Sequence, residues 1–155
     1  MKIDHINIVT NKIDEHVAFF VNLFQYKVTL DTTLRSHWID DAMNKSGVSA
    51  RCIFLESDKP DNCRIELLEF MNRDVPIVTD SCVPAIDALG IRHFAIEVDD
   101  IEKTVAAAFR IGYSLYSAKI VAVPADVIPH GKKLVYLNGP ENIIIEICQY
   151  GHLVK

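Results

Sequence analysis

Two stretches of this chain can be written one above the other. Asp4-His5-Ile6-Asn7-Ile8-Val9 aligns with Arg92-His93-Phe94-Ala95-Ile96-Glu97, and at the same offset Ile13 falls on Ile101 and Val17 on Val105. Each copy opens on an alternating segment that carries a histidine at the same place. Each then passes into a helical pattern, and much later reaches an apolar segment holding a glutamate. These are Glu66 in Arg64-Ile65-Glu66-Leu67-Leu68 and Glu146 in Ile144-Ile145-Glu146-Ile147-Cys148. An internal repeat limits the architecture more than any composition figure, because two similar segments are expected to fold as two similar modules.

The chain has 155 residues, which suits one domain or two small modules sharing a core. Half of the residues are apolar, enough for an ordinary globular core. The net charge of −5 gives no electrostatic reason to expect nucleic acid and disfavours an anionic membrane surface. No apolar run reaches the roughly 18 residues that a spanning helix needs. The N-terminal Met1-Lys2-Ile3-Asp4-His5 enters a strand at once, leaving no room for a signal peptide, so the expected location is cytoplasmic. Four cysteines, Cys52, Cys63, Cys82 and Cys148, show no short ligand spacing and read as reduced, mostly buried thiols.

Taken in order, residues 2–9 alternate as a strand, with Ile6 and Ile8 on one face and His5 and Asn7 on the other. Asn11 is a plausible N-cap for a helix over about 12–24, with Ile13, Val17, Phe20 and Phe24 as its inner stripe. A second strand is expected at Tyr26–Asp31. Residues 32–49 then form the longest irregular piece of this half, with a turn of helix near Ile39–Met43. That piece holds Trp38, the only tryptophan, beside Arg35 and His37, and loops over a rigid sheet often carry substrate contacts. Strands follow at Ser49–Glu56 and Cys63–Phe70, joined by a Lys59-Pro60-Asp61-Asn62 turn.

Residues 73–90 read as a linker containing Pro76, Pro84 and Gly90, so the modules span 1–72 and 91–155. The second module repeats the order of the first. Its strand at 91–98 leads to Asp99, a capping residue with Glu102 three positions on. The helix over about 100–110 has Ile101, Val105, Ala108 and Phe109 inward, and Gly112 ends it. Strands at Tyr113–Ala118, Lys133–Asn138 and Ile143–Tyr150 complete a second β-α-β-β-β unit. The fold class is therefore α+β, and a doubly wound parallel sheet is a poor match.

Strand parity brings the chemistry together. If Ile6 and Ile8 pack under the first helix, His5 leaves by the opposite face, and Phe94 and Ile96 send His93 the same way. Ile65 and Leu67 leave Glu66 on the His5 side, and Ile145 and Ile147 do the same for Glu146. By the same count Glu69 falls on the helix side, exposed near the strand end, and is no ligand. His16, His37, His130 and His152 have no repeated counterpart and read as surface or loop residues. Two imidazoles and two carboxylates suit a borderline divalent ion, so His5, Glu66, His93 and Glu146 are the expected metal ligands.

Through DHINIV, RIELLEF, GIRHFAIEVDDIE and GPENIIIEICQ, nearly the whole chain resembles the glyoxalase/bleomycin-resistance/extradiol-dioxygenase (vicinal oxygen chelate) superfamily. The resemblance implies paired βαβββ modules forming a curved sheet cleft around one divalent metal, a substrate chelated through two adjacent oxygens, and a homodimer. A complete His/Glu/His/Glu set is most similar to lactoylglutathione lyase. It implies a lyase or isomerase that transfers a proton through a metal-stabilised enediolate, with Glu146 as base and Glu66 sharing the task, on Ni, Zn, Co or Mn. A methylmalonyl-CoA epimerase-like isomerase is the alternative. There, Asn44-Lys45-Ser46 stands where the epimerase places a further carboxylate. An extradiol-type dioxygenase on Fe would leave Glu66 surplus, and a metal-free binding or resistance protein would need none of the four residues. Arg35, Trp38 and Arg51 are the candidates for substrate contact.

Overall fold

The computed structural model describes residues 2–59, 62–71, 85–128 and 131–151, and the chain divides into two compact units, 1–77 and 78–155. The first contains β1 (His5–Val9), α1 (Ile13–Phe24), β2 (Lys27–Arg35), α2 (His37–Met43), β3 (Ser49–Glu56) and β4 (Arg64–Phe70). The second contains β5 (His93–Glu97), α3 (Ile101–Arg110), β6 (Ser114–Leu115), β7 (Val121–Val123), β8 (Lys132–Asn138) and β9 (Ile144–Tyr150). A 3-10 turn at Pro140–Asn142 joins the last two strands.

Both units use one topology. The sheet orders are β1-β4-β3-β2 and β5-β9-β8-β6, with β7 also paired to β8. In each, the opening strand runs parallel to the last strand, and the remaining pairs are antiparallel. A parallel pair needs a long crossover, which here carries the helix and the intervening strands. The duplication read from sequence is therefore a duplication of fold: α+β, two βαβββ modules.

Apolar residues of alternate strand positions face the helices. In the first unit Ile53, Leu55, Ile65 and Leu67 are buried with Ile13, Phe19 and Phe20 of α1. In the second, Val135, Leu137, Ile145 and Ile147 are buried with Ile101, Val105 and Ala108 of α3. β1 and β5 share one burial pattern, in which the histidine-bearing positions are exposed and the intervening ones half-buried.

The helix faces differ in detail from the sequence expectation. The buried stripe of α1 is Ile13, His16, Phe19, Phe20 and Leu23, while Val17 and Phe24 are only half-buried. His16 is not a surface residue; it is fully buried, its ring stacked against Phe20 at 6.5 Å. Both stripes share Ile13 and Phe20, and a polar residue at position 16 hid the true one. In α3, Phe109 is 54% exposed and lies outside the buried face.

Capping is also rearranged. The residue before α1 is Lys12, with no side-chain cap, and not Asn11. The free amides are instead taken by Thr10 Oγ1 (from Lys12, 2.8 Å) and by Glu69 Oε1 of β4 (from Ile13, 3.5 Å). Glu69 is thus half-buried on the helix side, answering orphan donors of the first turn. Gln149 repeats this role in β9, accepting from the Ile101 amide at 3.0 Å. The cap of α3 is Asp100, one residue beyond Asp99, and it accepts from the Lys103 amide at 2.8 Å. Gly112, at φ +91, ends that helix in a left-handed conformation that a side chain would strain.

The segment expected to be irregular from residue 32 is ordered. β2 continues to Arg35, and α2 follows directly. The Asp40 carboxylate then accepts from the Gly47 and Val48 amides (3.0 and 2.7 Å), turning the chain into β3. A further strand not anticipated, β7, lies in the loop between β6 and β8. The Pro60-Asp61 part of the expected turn, most of the 73–90 linker, Cys82, His130 and His152 lie outside the described residues. Among the described residues, no helix is long and apolar enough to cross a membrane.

Arg51 on the helix side of β3 ties α1 to β2. Its guanidinium donates to Asp31 at 3.1 and 2.8 Å and to Asp14 at 2.9 Å. These bonds hold the Asp31 carboxyl below the usual carboxylate range, and Arg51 with its hydrogen bonds likewise holds a proton more firmly than usual. A carboxyl depressed in the folded state adds stability above its unfolded value, roughly 3.9, and loses it as the pH falls through the folded one. The Asp31→Asn variant should therefore lose less stability between pH 7 and pH 3 than the parent, as read by urea unfolding at both pH values. An identical pH dependence in the two proteins would contradict this.

Candidate metal centre

Both expected His–Glu pairs form, each within its own unit. His5 Nε2 lies 3.3 Å from Glu66 Oε2, and His93 Nε2 lies 3.5 Å from Glu146 Oε2. The same atoms meet in both halves. The cause is the parallel register, which sets Asn7 opposite Glu66 and Ala95 opposite Glu146, each histidine two residues earlier on the same strand face. The aromatic partner is repeated as well. Phe54 of β3 is opposite Glu66 and meets His5 edge-on at 5.5 Å, while Tyr136 of β8 is opposite Glu146 and meets His93 at 5.0 Å.

The surroundings of the two carboxylates differ. Glu66 accepts from the Asn7 amide at 2.8 Å and from the Cys52 thiol at 3.6 Å, both neutral donors. Glu146 is more deeply buried, and Lys132 Nζ lies 2.5 Å from its Oε1. Burial alone would pull the Lys132 ammonium down, but the hydrogen bond and charge of Glu146 more than reverse this and leave it raised. The Tyr136 hydroxyl is raised by burial, by the Glu146 charge and by its hydrogen bond to that carboxylate. Lys132 and Tyr136 were both missed in the sequence reading, which began the strand at Lys133. The parity used for the ligands could have found them: with Val135 and Leu137 under α3, Lys132, Leu134 and Tyr136 must share the Glu146 face.

The residues fit a divalent cation in their donor chemistry. His5 Nδ1 is 3.0 Å from Asp4 Oδ2, a carboxylate partner that can orient the ring and present Nε2 to a cation. With the ring proton on Nδ1, Nε2 and a carboxylate oxygen would face each other as two acceptors, an arrangement that a cation between them would stabilise. Among the described residues no third His, Cys, Asp or Glu completes either pair into a metal-holding group. Each unit thus offers one nitrogen and one carboxylate.

The three residues expected to meet substrate are placed unequally. Arg35 ends β2 and is exposed, and Trp38 in α2 is 57% exposed and takes no part in the core. Arg51 lies on the helix side, engaged by Asp14 and Asp31. Of the remaining described histidines, His37 is exposed at the start of α2.

An α+β fold of repeated βαβββ modules, each with a His–Glu pair on the sheet face away from its helix, defines a glyoxalase-like class of protein. The chain belongs to the Glyoxalase/Bleomycin resistance protein/Dioxygenase superfamily, whose sequence model matches residues 4–128. Solved structures agree on the fold. A glyoxalase family protein from Bacillus cereus is 19% identical, with a TM-score of 0.81 over 98% of this chain and 95% of that one. A trypanothione-dependent glyoxalase I from Leishmania major is 15% identical, with a TM-score of 0.58 over 96% and 86%. The fosfomycin resistance protein FosX from Mesorhizobium loti is 8% identical, with a TM-score of 0.55 over 97% and 90%. No protein in the curated comparison matches significantly.

Cys52 adjoins this site and is buried. Burial first, then the charge of Glu66 and its hydrogen bond, push its thiol up to about 12. Cys148, buried beside Glu146, is raised mainly by burial. At pH 8 the thiolate fraction of Cys52 is then on the order of a thousandfold below that of a free cysteine. Iodoacetamide should alkylate Cys52 only after unfolding, as followed by peptide mass spectrometry. Rapid labelling of the native protein at Cys52 would contradict this.

Proposed function

We propose that this protein is a divalent-metal-dependent lyase or isomerase of the glyoxalase type, moving a proton on a small substrate that presents two neighbouring oxygens. The observation that carries the reading is the repeated pair, His Nε2 facing Glu Oε2 at 3.3 and 3.5 Å on the same two strands of each module. The shared register places both pairs on corresponding strands, and the recurrence of the same two residue types there supports a common role.

His5, Glu66, His93 and Glu146 would hold the ion together, with the two carboxylates offsetting its charge. When bound, the ion would supply Lewis acidity, polarising adjacent substrate oxygens and acidifying the C–H bond beside them. The chain's own part is to orient the imidazoles, as the Asp4 carboxylate beside Nδ1 would do for His5. Its other part is to move the proton. Glu66, met by the neutral donors Asn7 and Cys52 besides His5, is the less confined carboxylate. Glu146, fixed by Lys132 and Tyr136, is the stationary one. The surroundings thus favour Glu66 as the group that takes up and returns the proton, with Glu146 in support. Arg35 and Trp38, exposed at the end of β2 and in α2, are the residues offered to the remainder of the substrate. A homodimer and a cytoplasmic setting belong to the same reading.

A second reading, a metal-free small-molecule binder, draws on the Lys132–Glu146 ion pair, which already neutralises one of the carboxylates. Calorimetric titration of stripped protein with Ni, Zn, Co and Mn ions separates the two. Binding is expected at neutral pH, weakened at least tenfold in His93→Ala and in Glu146→Gln. Solvent-deuterium exchange into a panel of hemithioacetals, acyl-CoA thioesters and hydroxyketones should fall by about 10² or more in Glu66→Gln. Protein that takes up none of the four ions, yet binds small ligands undiminished, would overturn the metal-dependent reading.

A further inference from the structure

We propose that Lys132 competes with the divalent cation for Glu146 and thereby sets how tightly the cation is held. This rests on the metal-dependent reading above and adds a residue that the ligand set does not contain. Besides its bond from the Tyr136 hydroxyl, the Glu146 carboxylate has the Lys132 ammonium 2.5 Å from Oε1 and His93 Nε2 3.5 Å from Oε2. Both side chains of the ion pair are largely buried, at 12% and 7% exposure, so their attraction is weakly screened. A dication approaching the same carboxylate meets a positive charge already in place. It must displace the lysine or accept the repulsion.

The repeat shows that this lysine is not required by the module. Lys132 pairs with Tyr150, four residues beyond Glu146, and the matching position in the first unit is Ala50, paired with Phe70 four residues beyond Glu66. Ala50 is fully buried, and the carboxylate there is held by neutral donors. An apolar side chain would fill the position without the desolvation cost of an ammonium, so packing alone does not explain a charge there. The lysine also has somewhere to go. Its four-carbon stem is flexible, and Nζ already lies 5.4 Å from the centre of the Tyr150 ring, a face that can receive a displaced ammonium.

The test is the dissociation constant of Zn and Mn ions, by calorimetry at pH 7.5, for the parent protein, Lys132→Met, Lys132→Arg, Glu146→Gln and Glu146→Gln/Lys132→Met. Lys132→Met should bind at least tenfold more tightly, about 1.4 kcal/mol, and Lys132→Arg should stay near the parent. With Glu146→Gln present, the methionine should bring a smaller gain over Glu146→Gln alone than it brings to the parent. If Lys132→Met does not fold without metal, Lys132→Gln serves instead. Its melting temperature should then rise more on saturation with metal than that of the parent. Tight binding by the parent with equal or weaker binding by a folded Lys132→Met or Lys132→Gln overturns the competition alone. No uptake by the parent or any variant overturns both this proposal and the metal-dependent reading beneath it.

Discussion

A parallel ladder between the first and last strands of each unit is the constraint on which the candidate site depends. β1 pairs with β4, and β5 with β9, in a register that sets Asn7 beside Glu66 and Ala95 beside Glu146. One alignment of backbones does two things at once. It turns Ile65, Leu67, Ile145 and Ile147 under the helices, and it turns His5, Glu66, His93 and Glu146 to the other face. A slip of a single residue would bury the charged set and expose the apolar one, at a cost far larger than any one hydrogen bond. Hydrophobic burial therefore holds the polar pairs in place without either pair having to stabilise itself.

The two copies have kept this frame while their details have parted. Both bring an aromatic ring edge-on to the histidine, but only Tyr136 carries a hydroxyl that reaches the carboxylate. Both use a side chain three residues past the glutamate to take the first helix amide, but one is Glu69 and the other Gln149. The deepest difference is electrostatic. Glu66 rests among neutral donors, whereas Glu146 is buried against an ammonium. A symmetric frame thus carries asymmetric carboxylates, one among neutral donors and one held against an ammonium.

Much of this was legible in the sequence, and the parts that were not have physical reasons. The histidine–glutamate pairs followed from the repeat and from strand parity, since both depend on backbone alternation that tertiary context does not alter. The inner face of α1 was misplaced because His16, polar and assumed outward, is packed fully against Phe20. Its N-terminus was assigned to Asn11 because sequence shows only local acceptors, whereas the acceptor at Ile13 comes from Glu69, 56 residues away. The continuation of β2 to Arg35 went unseen since its exposed Thr32 and Thr33 have no clear apolar period, and pairing with β3 is what orders them. Lys132 was overlooked because a lysine at a strand end ordinarily lies in solvent.

The account comes down to whether both repeated pairs serve one cation. X-ray absorption at the metal edge of zinc-loaded protein, combined with anomalous diffraction from the same preparation, addresses this directly. The account predicts a single ion class with histidine nitrogens at about 2.0–2.1 Å and carboxylate oxygens at about 2.0–2.2 Å, its ligands being His5, Glu66, His93 and Glu146. An ion seated elsewhere, or held by one pair while the other keeps its direct histidine–glutamate contact, would contradict it.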